Sequence, residues 1–387
     1  MKEKDPNFKV NLTTIREINP HPNPDVHSLC LAKIYDFDVI ISSKSDYKVG
    51  DKVVYFPVNS ILPSIIENFM FPPDSRVKLQ KSRVKASRIQ KFVSQGLIAK
   101  WKDIKELYSL KELSLETDLQ DKINVVKYVP PSYTTISENL KNRSGKHRKV
   151  KSYDNPSFKS YNGCVNLKWT PFVFTDDQEV YITEKIHGTN FRCGWLPFKA
   201  HGLWEKIKQF FGLNPKIEFC YGSNNVQRQK RQESSTWYKE DVYAEATQKY
   251  NLKEVMKNYI GYVLYGEIYG PTIQKGYSYG IGADQRNLVV FDIFDSLKKE
   301  WLTLSELKEF CSKHSLQFVP ILYEGKWNKD IAINLAKGNS VLSASQKVIE
   351  GVVVKNKDIT SLNRNKIKII NPDYLMKEAS GETSDFQ

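Results

Sequence analysis

Ten residues, Tyr181-Ile182-Thr183-Glu184-Lys185-Ile186-His187-Gly188-Thr189-Asn190, constrain this chain more than any other stretch. Val180 to Thr183 are β-branched or aromatic and predict a strand. Gly188 ends the run and suits a turn or a close backbone approach. That leaves Lys185 at the end of a buried strand. Burying an ammonium is costly unless it is paired or sheds its proton, and an amine without its proton is a nucleophile. A lone Lys-x-x-Gly says little, because Lys199-Ala200-His201-Gly202 fits it equally well. A solvated lysine at a strand end is the ordinary alternative, so the argument needs further motifs in order.

Four more follow downstream. Tyr265-Gly266-Glu267-Ile268-Tyr269-Gly270 places an acid in a strand bounded by glycines. Val289-Val290-Phe291-Asp292-Ile293-Phe294 is a strand carrying aromatics, and Glu350-Gly351-Val352-Val353-Val354-Lys355 sets an acid at the mouth of an apolar strand. Asn365-Lys366-Ile367-Lys368-Ile369-Ile370 puts two lysines on one strand face, because strand side chains repeat with period two. Taken singly, Phe291 is an ordinary core residue, Glu267 and Glu350 are ordinary partners for basic neighbours, and His187 is an ordinary structural histidine.

Taken in this order, the set resembles the signature of the covalent nucleotidyltransferases, the ATP-dependent ligases and mRNA capping enzymes. The fuller Glu184-Lys185-Ile186-His187-Gly188-Thr189-Asn190 string resembles the nick-sealing RNA ligase 2 type. DNA ligases and capping enzymes usually carry Asp where this chain has His187. The resemblance covers about the C-terminal half. It implies Lys185 as the nucleophile that takes AMP from ATP, with Lys366 and Lys368 neutralising the phosphates. It implies an adenylate pocket of Glu184, Lys185, Ile186, His187, Asn190, Glu267, Phe291, Glu350, Lys366 and Lys368. Within it, His187 faces the α-phosphate, Asn190 and Glu267 the ribose, and Phe291 the adenine, while Glu184 reads the adenine amine. Glu267 and Glu350 are the expected ligands for Mg²⁺ or Mn²⁺. Family members commonly carry a Ser-Arg pair near residue 223. Here Asn224 follows Ser223, leaving Arg228 or Arg231 to take the arginine's place.

The upstream half has a different character. Residues 1–160 hold 28 Lys and Arg against 18 Asp and Glu, and residues 161–387 hold 30 against 26. Excess positive charge favours polyanions, so nucleic acid is the expected partner of the first half. Short strand-like runs at 30–35, 37–41, 52–57 and within 77–99 predict a small barrel. Pro22-Asn23-Pro24-Asp25, Gly50-Asp51-Lys52-Val53 and Ser94-Gln95-Gly96-Leu97 resemble the OB-type module at the N-terminus of one branch of RNA ligases. OB barrels hold single strands through basic grooves and aromatic platforms. Arg83, Lys85, Arg88 and Lys91 are the candidate RNA contacts, with a solvated edge strand as the plain alternative. Leucines at 107, 110, 113, 115 and 119 approximate a helical apolar face within 104–122. Helices are also expected over 134–142, 196–215, 238–259, 301–314 and 328–337.

The expected fold class is therefore α+β. It combines an N-terminal OB-like β-barrel (1–130), a basic linker (131–160) and a C-terminal nucleotidyltransferase domain (161–387). That last domain would have ligase-type antiparallel sheets with helices, unrelated to ATP-grasp. Five scattered cysteines without a Cys-x-x-Cys pair argue against a zinc site or disulfide framework. With no apolar signal segment or membrane span, an intracellular monomer is expected. The implied activity is ATP-dependent joining of RNA 3′-hydroxyl and 5′-phosphate ends, in nicked duplex and with RNA–DNA hybrid as a further substrate. A capping guanylyltransferase or DNA ligase is expected to carry another OB domain after Lys368, where only 19 residues follow. A non-catalytic RNA-binding protein with a nucleotide-sensing domain is the alternative of another class.

Overall fold

A computed structural model describes residues 8–75, 78–90, 92–128, 155–161, 164–170, 172–198, 207–208, 210–212, 216–224, 226–228, 241–274, 276–362 and 364–380. The expected linker and helix over 131–154, the side chains of Arg88 and Lys91, and Arg231 lie outside them. Two compact units result: one within 1–129, 165–173 and 372–381, the other within 130–164, 174–371 and 382–387.

The first unit is built on short antiparallel strands. β1 (Asn11–Thr14), β2 (Glu17–Pro20), β3 (Leu29–Ile34), β4 (Phe37–Ser42), β5 (Lys52–Phe56) and β6 (Ser60–Ile61) come first. After helix α1 (Ser64–Met70) follow β7 (Ser87–Ile89), β8 (Phe92–Ser94), β9 (Leu97–Lys100), α2 (Trp101–Leu107) and β10 (Val126–Lys127). The two main sheets run β1-β5-β9 and β2-β3-β4. Strand β5 explains why this stretch reads as continuously apolar. Val54 and Phe56 face one core with Trp101, Ile104 and Leu119, whereas Val53 and Tyr55 face another with Ile34, Phe37 and Ile98. A strand buried on both faces has no polar side to alternate with.

The expected 104–122 helix is shorter and earlier. α2 ends at Leu107, and Ser109 and Glu116 take left-handed backbone (φ 49° and 65°), which a helix cannot accommodate. Leu107, Leu110, Leu113 and Leu119 still pack on the core, but the last three do so from irregular backbone. The barrel aromatics are also spoken for. Trp169, beyond the short β11 (Val165–Asn166), packs at 5.0–5.5 Å on Tyr35, Phe37 and Tyr55.

The second unit contains two antiparallel sheets. One has the order β21 (Lys366–Ile370), β20 (Gly351–Asn356), β12 (Glu179–Glu184) and β19 (Ile321–Lys326). The other has six strands, in the order β15 (Gln227–Arg228), β14 (Ile217–Gly222), β13 (Thr189–Pro197), β16 (Tyr262–Tyr269), β17 (Asn287–Asp295) and β18 (Glu300–Trp301). Helices α3 (Val242–Lys249), α4 (Leu252–Val255) and α5 (Leu304–Lys313) contribute Val242, Tyr243, Leu252, Leu307 and Phe310 to a core against the six-stranded sheet. Asn251 at φ 48° separates α3 from α4, so the expected 238–259 helix is broken there. α5 starts at a capping box of Thr303 and Glu306, three residues after the expected start, because Trp301 belongs to β18. Helix α6 (Lys329–Ala336) belongs to this unit, and α7 (Pro372–Ser380) to the first.

An aromatic layer of Tyr161, Tyr265, Phe294 and Trp301 packs with Phe291 of β17 and Val353 of β20, so it joins the two sheets. The expected 196–215 helix does not start at 196, because Leu196 and Pro197 end strand β13; beyond residue 198, only 207–208 and 210–212 of that stretch are described. Phe210 there is 86% exposed.

Candidate nucleotide-transfer site

The lysine motif is the crossover between the two sheets. β12 belongs to the four-stranded sheet and β13 to the six-stranded one, so residues 185–188 carry the chain from one to the other. Their side chains therefore stand at the junction of both. Gly188 is required there. A Cβ on it would fall 2.2 Å from the Ile268 carbonyl oxygen and 3.0 Å from Glu267 Cγ. The same contact sets Glu267, whose strand neighbour across the ladder is Asn190, against the motif.

Lys185 donates its backbone N–H to the Gly351 carbonyl (2.9 Å), which brings its ammonium to the strand mouth occupied by Glu350. Lys185 Nζ lies 2.5 Å from Glu350 Oε1, and His187 Nδ1 lies 3.3 Å from Glu350 Oε2. Burial pushes the Glu350 carboxyl up, but Lys185 and His187 outweigh it and hold the pKa at about 2. Gly351 has a steric reason of its own: its φ is 150°, and a Cβ would meet the Ile369 carbonyl oxygen at 2.0 Å.

Glu184, the residue before the nucleophile candidate, is buried. Its Oε2 accepts the backbone N–H groups of Val341 (2.9 Å) and Leu342 (3.3 Å). Its Oε1 is buried without a hydrogen-bond partner. Burial raises its pKa against the pull of the Ser340 hydroxyl and the two N–H groups. Ile186 is buried beside it.

A second cluster surrounds Asp292, and sequence reasoning did not single it out. Opposite the β17 stretch 290–292, the register shifts between Tyr265 and Gly266, so Phe291 is the extra residue of a bulge. Lys355 Nζ donates to the Phe291 carbonyl (2.7 Å) and to Asp292 Oδ2 (3.0 Å). Arg364 Nη2 (2.5 Å) and the Tyr161 hydroxyl (2.9 Å) donate to the same Asp292 oxygen. Burial alone would raise the Asp292 pKa, yet Arg364, Lys355 and Lys366 bring it to about 2. The only advance sign of this cluster was Lys355 ending an otherwise apolar strand.

Lys366 joins this second cluster. Its Nζ sits 3.7 Å above the Tyr161 ring and 4.4 Å above Trp301, a cation–π arrangement. Desolvation lowers its pKa to about 8. In the ladder Lys366 faces Lys355, which faces Tyr181 on β12. Tyr181 precedes Lys185 by four residues, a strand distance of about 13 Å. Lys368 lies two residues nearer the Glu350 end, opposite Val353. The structure thus gathers Lys185, His187, Glu350, Glu267 and Asn190 around one end. Phe291 and Lys366 stand toward the other, with Lys368 between.

The arginine positions also resolve in part. Arg228 lies over the Tyr243 ring at 5.4 Å. Asn224, in the place of the family arginine, accepts the Tyr161 backbone N–H on its Oδ1 and the Ser160 hydroxyl on its backbone carbonyl, both at 2.7 Å. Arg192 fills the neighbouring space. It is buried, with Nε donating to the Ser223 carbonyl (2.8 Å) and Nη1 to that of Phe158.

On the first unit, Arg83 is committed internally. Its guanidinium donates to Asn59 Oδ1 and lies 3.8 Å from the Tyr128 ring centre. Lys85 Nζ donates to Gln80 Oε1 (3.2 Å) at the surface.

A family model described as RNA ligase matches residues 178–370, which span every strand of this site. A second model, described as an OB-fold domain, matches residues 10–100. The chain belongs to the RNA ligase family. This sets it apart from the capping-enzyme, DNA-ligase and non-catalytic alternatives: it is an RNA ligase of α+β class with an N-terminal OB-fold domain, and an enzyme.

The ligase fold extends over the whole chain. Naegleria gruberi RNA ligase with PPi is 19% identical, covering 97% of this chain and 99% of that one at a TM-score of 0.71. A mutant of it with AMP and Mn gives 19%, 96%, 98% and 0.71, and a mutant with ATP and Mn gives 19%, 96%, 98% and 0.69. A search of curated proteins returns no match. No helix among the described residues of the ligase is long and apolar enough to cross a membrane.

Proposed function

We propose that this ligase joins RNA 3′-hydroxyl and 5′-phosphate ends at nicks in duplex RNA or RNA–DNA hybrid, using ATP through a lysyl-AMP on Lys185. The observation that carries the reading is the Lys185–Glu350–His187 cluster at the sheet crossover. There, an amine with 28% of its side chain exposed meets a carboxylate held ionised.

In the first step the Lys185 amine attacks the α-phosphorus of ATP. An N–P bond forms, the bond to the β-phosphate oxygen breaks, pyrophosphate leaves and the nitrogen loses its proton. Because Lys185 rests against Glu350, attack requires that pair to part. In the second step an RNA 5′-phosphate oxygen attacks the same phosphorus. The N–P bond breaks and the amine is restored. In the third, the 3′-hydroxyl oxygen attacks the RNA 5′-phosphorus and AMP departs. The catalyst positions the reacting groups and spreads developing charge. In this reading His187 orients the α-phosphate and Asn190 with Glu267 holds the ribose. Phe291 stacks on adenine, Glu184 Oε1 accepts its exocyclic amine beside Ile186, and Lys368 with Lys366 balances phosphate charge.

Mg²⁺ takes one or two carboxylates and completes its shell with water and phosphate oxygens. Among the described residues no three His, Cys, Asp or Glu gather as a metal cage. Glu350 fits that sparser pattern, ionised at the strand mouth, with Glu267 across the Gly188 turn. A bound Mg²⁺ or Mn²⁺ would supply Lewis acidity and charge neutralisation to the phosphates.

The same reading takes residues 1–130 as the RNA-holding domain, 131–160 as a linker and 161–387 as the adenylyltransferase domain. Lys85, Arg88 and Lys91 would meet RNA phosphates, while Arg83 stays on Asn59 and Tyr128. An intracellular location, in keeping with five free cysteines, four of them buried, is part of it, and so is a monomeric state.

The test is sealing of a nicked RNA duplex whose nick carries a 3′-hydroxyl and a 5′-phosphate, beside one carrying a 3′-phosphate and a 5′-hydroxyl. Sealing of only the first supports the proposal. Sealing of only the second, or of neither, rejects the end chemistry.

A further inference from the structure

The chain that crosses from one sheet to the other poses a backbone problem. Residues 186–188 lie between two ladders, so their N–H and C=O groups have no strand partner, and buried backbone groups demand one. Two of these groups are satisfied by side chains from a single segment almost ninety residues away. Tyr279 Oη accepts the His187 backbone N–H at 2.8 Å. Gln274 Nε2 donates to the Gly188 carbonyl at 3.0 Å. From the same segment, the Tyr277 ring meets the His187 imidazole edge-on, with centroids 4.7 Å apart and planes at 72°. Gln274, Tyr277 and Tyr279 are all buried, at 1%, 1% and 3% exposure.

The segment is shaped for this task. Tyr279 holds a left-handed backbone, φ 49°, followed by Gly280 at φ 72°. A bulky residue seldom takes that conformation, and such departures concentrate at functional sites. Here it delivers the Tyr279 hydroxyl to the residue two past the nucleophile. The Tyr277 and Tyr279 rings also lie side by side at a tilt, with centroids 5.9 Å apart and planes at 45°.

We propose that Gln274, Tyr277 and Tyr279 form a clasp that positions Lys185 and His187 for attack on the nucleotide. The two hydrogen bonds fix the crossover backbone. The Tyr277 ring fixes the imidazole plane with Nδ1 toward Glu350. None of the three is a catalytic residue; each acts through the crossover. The proposal rests on the reading of Lys185 as the nucleophile.

It predicts a step-specific defect. The first step needs Lys185 aligned with the α-phosphorus, whereas sealing of RNA supplied with a 5′-adenylate already attached does not need Lys185 to attack. Tyr279→Phe keeps the ring and removes the acceptor. Its lysyl-AMP formation should slow on the order of 10-fold, the effect of one buried unsatisfied donor. KM for ATP should hold within about 2-fold, and sealing of pre-adenylated nicked RNA should stay near the parent rate. Tyr277→Leu should behave likewise, while Tyr277→Phe, which keeps the edge contact, should restore the rate.

The full-length variants would be compared by rapid-quench adenylylation with α-labelled ATP and by sealing of the pre-adenylated nick. Their thermal unfolding would be compared with the parent's, and Lys185→Ala would run alongside. If Tyr279→Phe and Tyr277→Leu adenylate at the parent rate, there is no clasp. Equal losses in both reactions, or unfolding of both variants, would make the contacts merely structural and overturn the proposal. If Lys185→Ala itself retains label, the nucleophile reading fails instead, and that result is distinct.

Discussion

Two lysine–carboxylate pairs share the four-stranded sheet and its surroundings, and they are built to opposite ends. Lys355 and Asp292 are sealed, with 2% and 0% of their side chains exposed, and Arg364, Tyr161 and the Phe291 carbonyl close around them. Lys185 and Glu350 keep one open side, because 28% of the lysine remains accessible. A sealed pair cannot part without leaving a buried charge unmet, which is strongly destabilising. An open pair can part when a phosphate or cation arrives. Glu350 and Lys355 belong to one hexapeptide, so neither composition nor spacing separates the reactive pair from the scaffold. What separates them is access: both members of the Asp292 pair are closed off from solvent, whereas Lys185 keeps an accessible side.

The largest expected effect lies on the sealed side. Asp292→Asn leaves Lys355 and Arg364 buried together without their carboxylate. Urea denaturation should show a loss of about 3–5 kcal/mol. A loss below about 1 kcal/mol would mean that the cluster is not the scaffold described here. On the open side, Glu350→Gln should do the converse. Lysyl-AMP formation should drop more than about a hundredfold, with a smaller change in the urea midpoint than Asp292→Asn produces. A fall in stability as large as that of Asp292→Asn, with activity retained, would erase the distinction.

Acid sharpens the contrast next. Asp292 and Glu350 both have folded pKa values of about 2, below their ordinary values. A carboxyl depressed on folding adds stability that is complete above its ordinary pKa and disappears as pH falls through the folded one. Urea midpoints should therefore be flat from pH 7 to about 5 and drop between about pH 4 and 2. In Asp292→Asn that acid limb should be shallower. An unchanged limb would assign the loss to other carboxyls.

The smallest effect belongs to the OB-fold domain. Replacing Lys85, Arg88 and Lys91 with alanine, and leaving Arg83 to hold Asn59 and Tyr128, should reduce the salt dependence of nicked-RNA binding. The expected change in slope is about one unit per lost phosphate contact. Lysyl-AMP formation should not change. Normal binding and sealing at moderate salt would make that face a solvated edge.

How much of this was legible follows from how local each feature is. Strand signals at 30–35 and 37–41 match β3 and β4 closely, because side-chain type and a tight turn decide them within a few residues. The lysine motif and its four companions were legible for the same reason: each is a short string with its own chemistry. The leucines of 104–122 misled because period alone does not reveal Ser109 and Glu116 in left-handed backbone. Arg364 was invisible, since its meaning comes from Asp292, 72 residues away. Gln274, Tyr277 and Tyr279 were equally hidden, because an aromatic in a Gly-rich turn looks like any loop residue until the crossover is folded beside it.

The central claim is that the accessible amine of the open pair carries the adenylate. The most direct measurement is to incubate the ligase with ATP and Mg²⁺, digest it, and locate the AMP adduct by mass spectrometry in parent and Lys185→Ala protein. The account predicts one modified peptide, containing Lys185, and none in the variant. An adduct on Lys199 or Lys355, or an adduct of undiminished yield in Lys185→Ala, would contradict it.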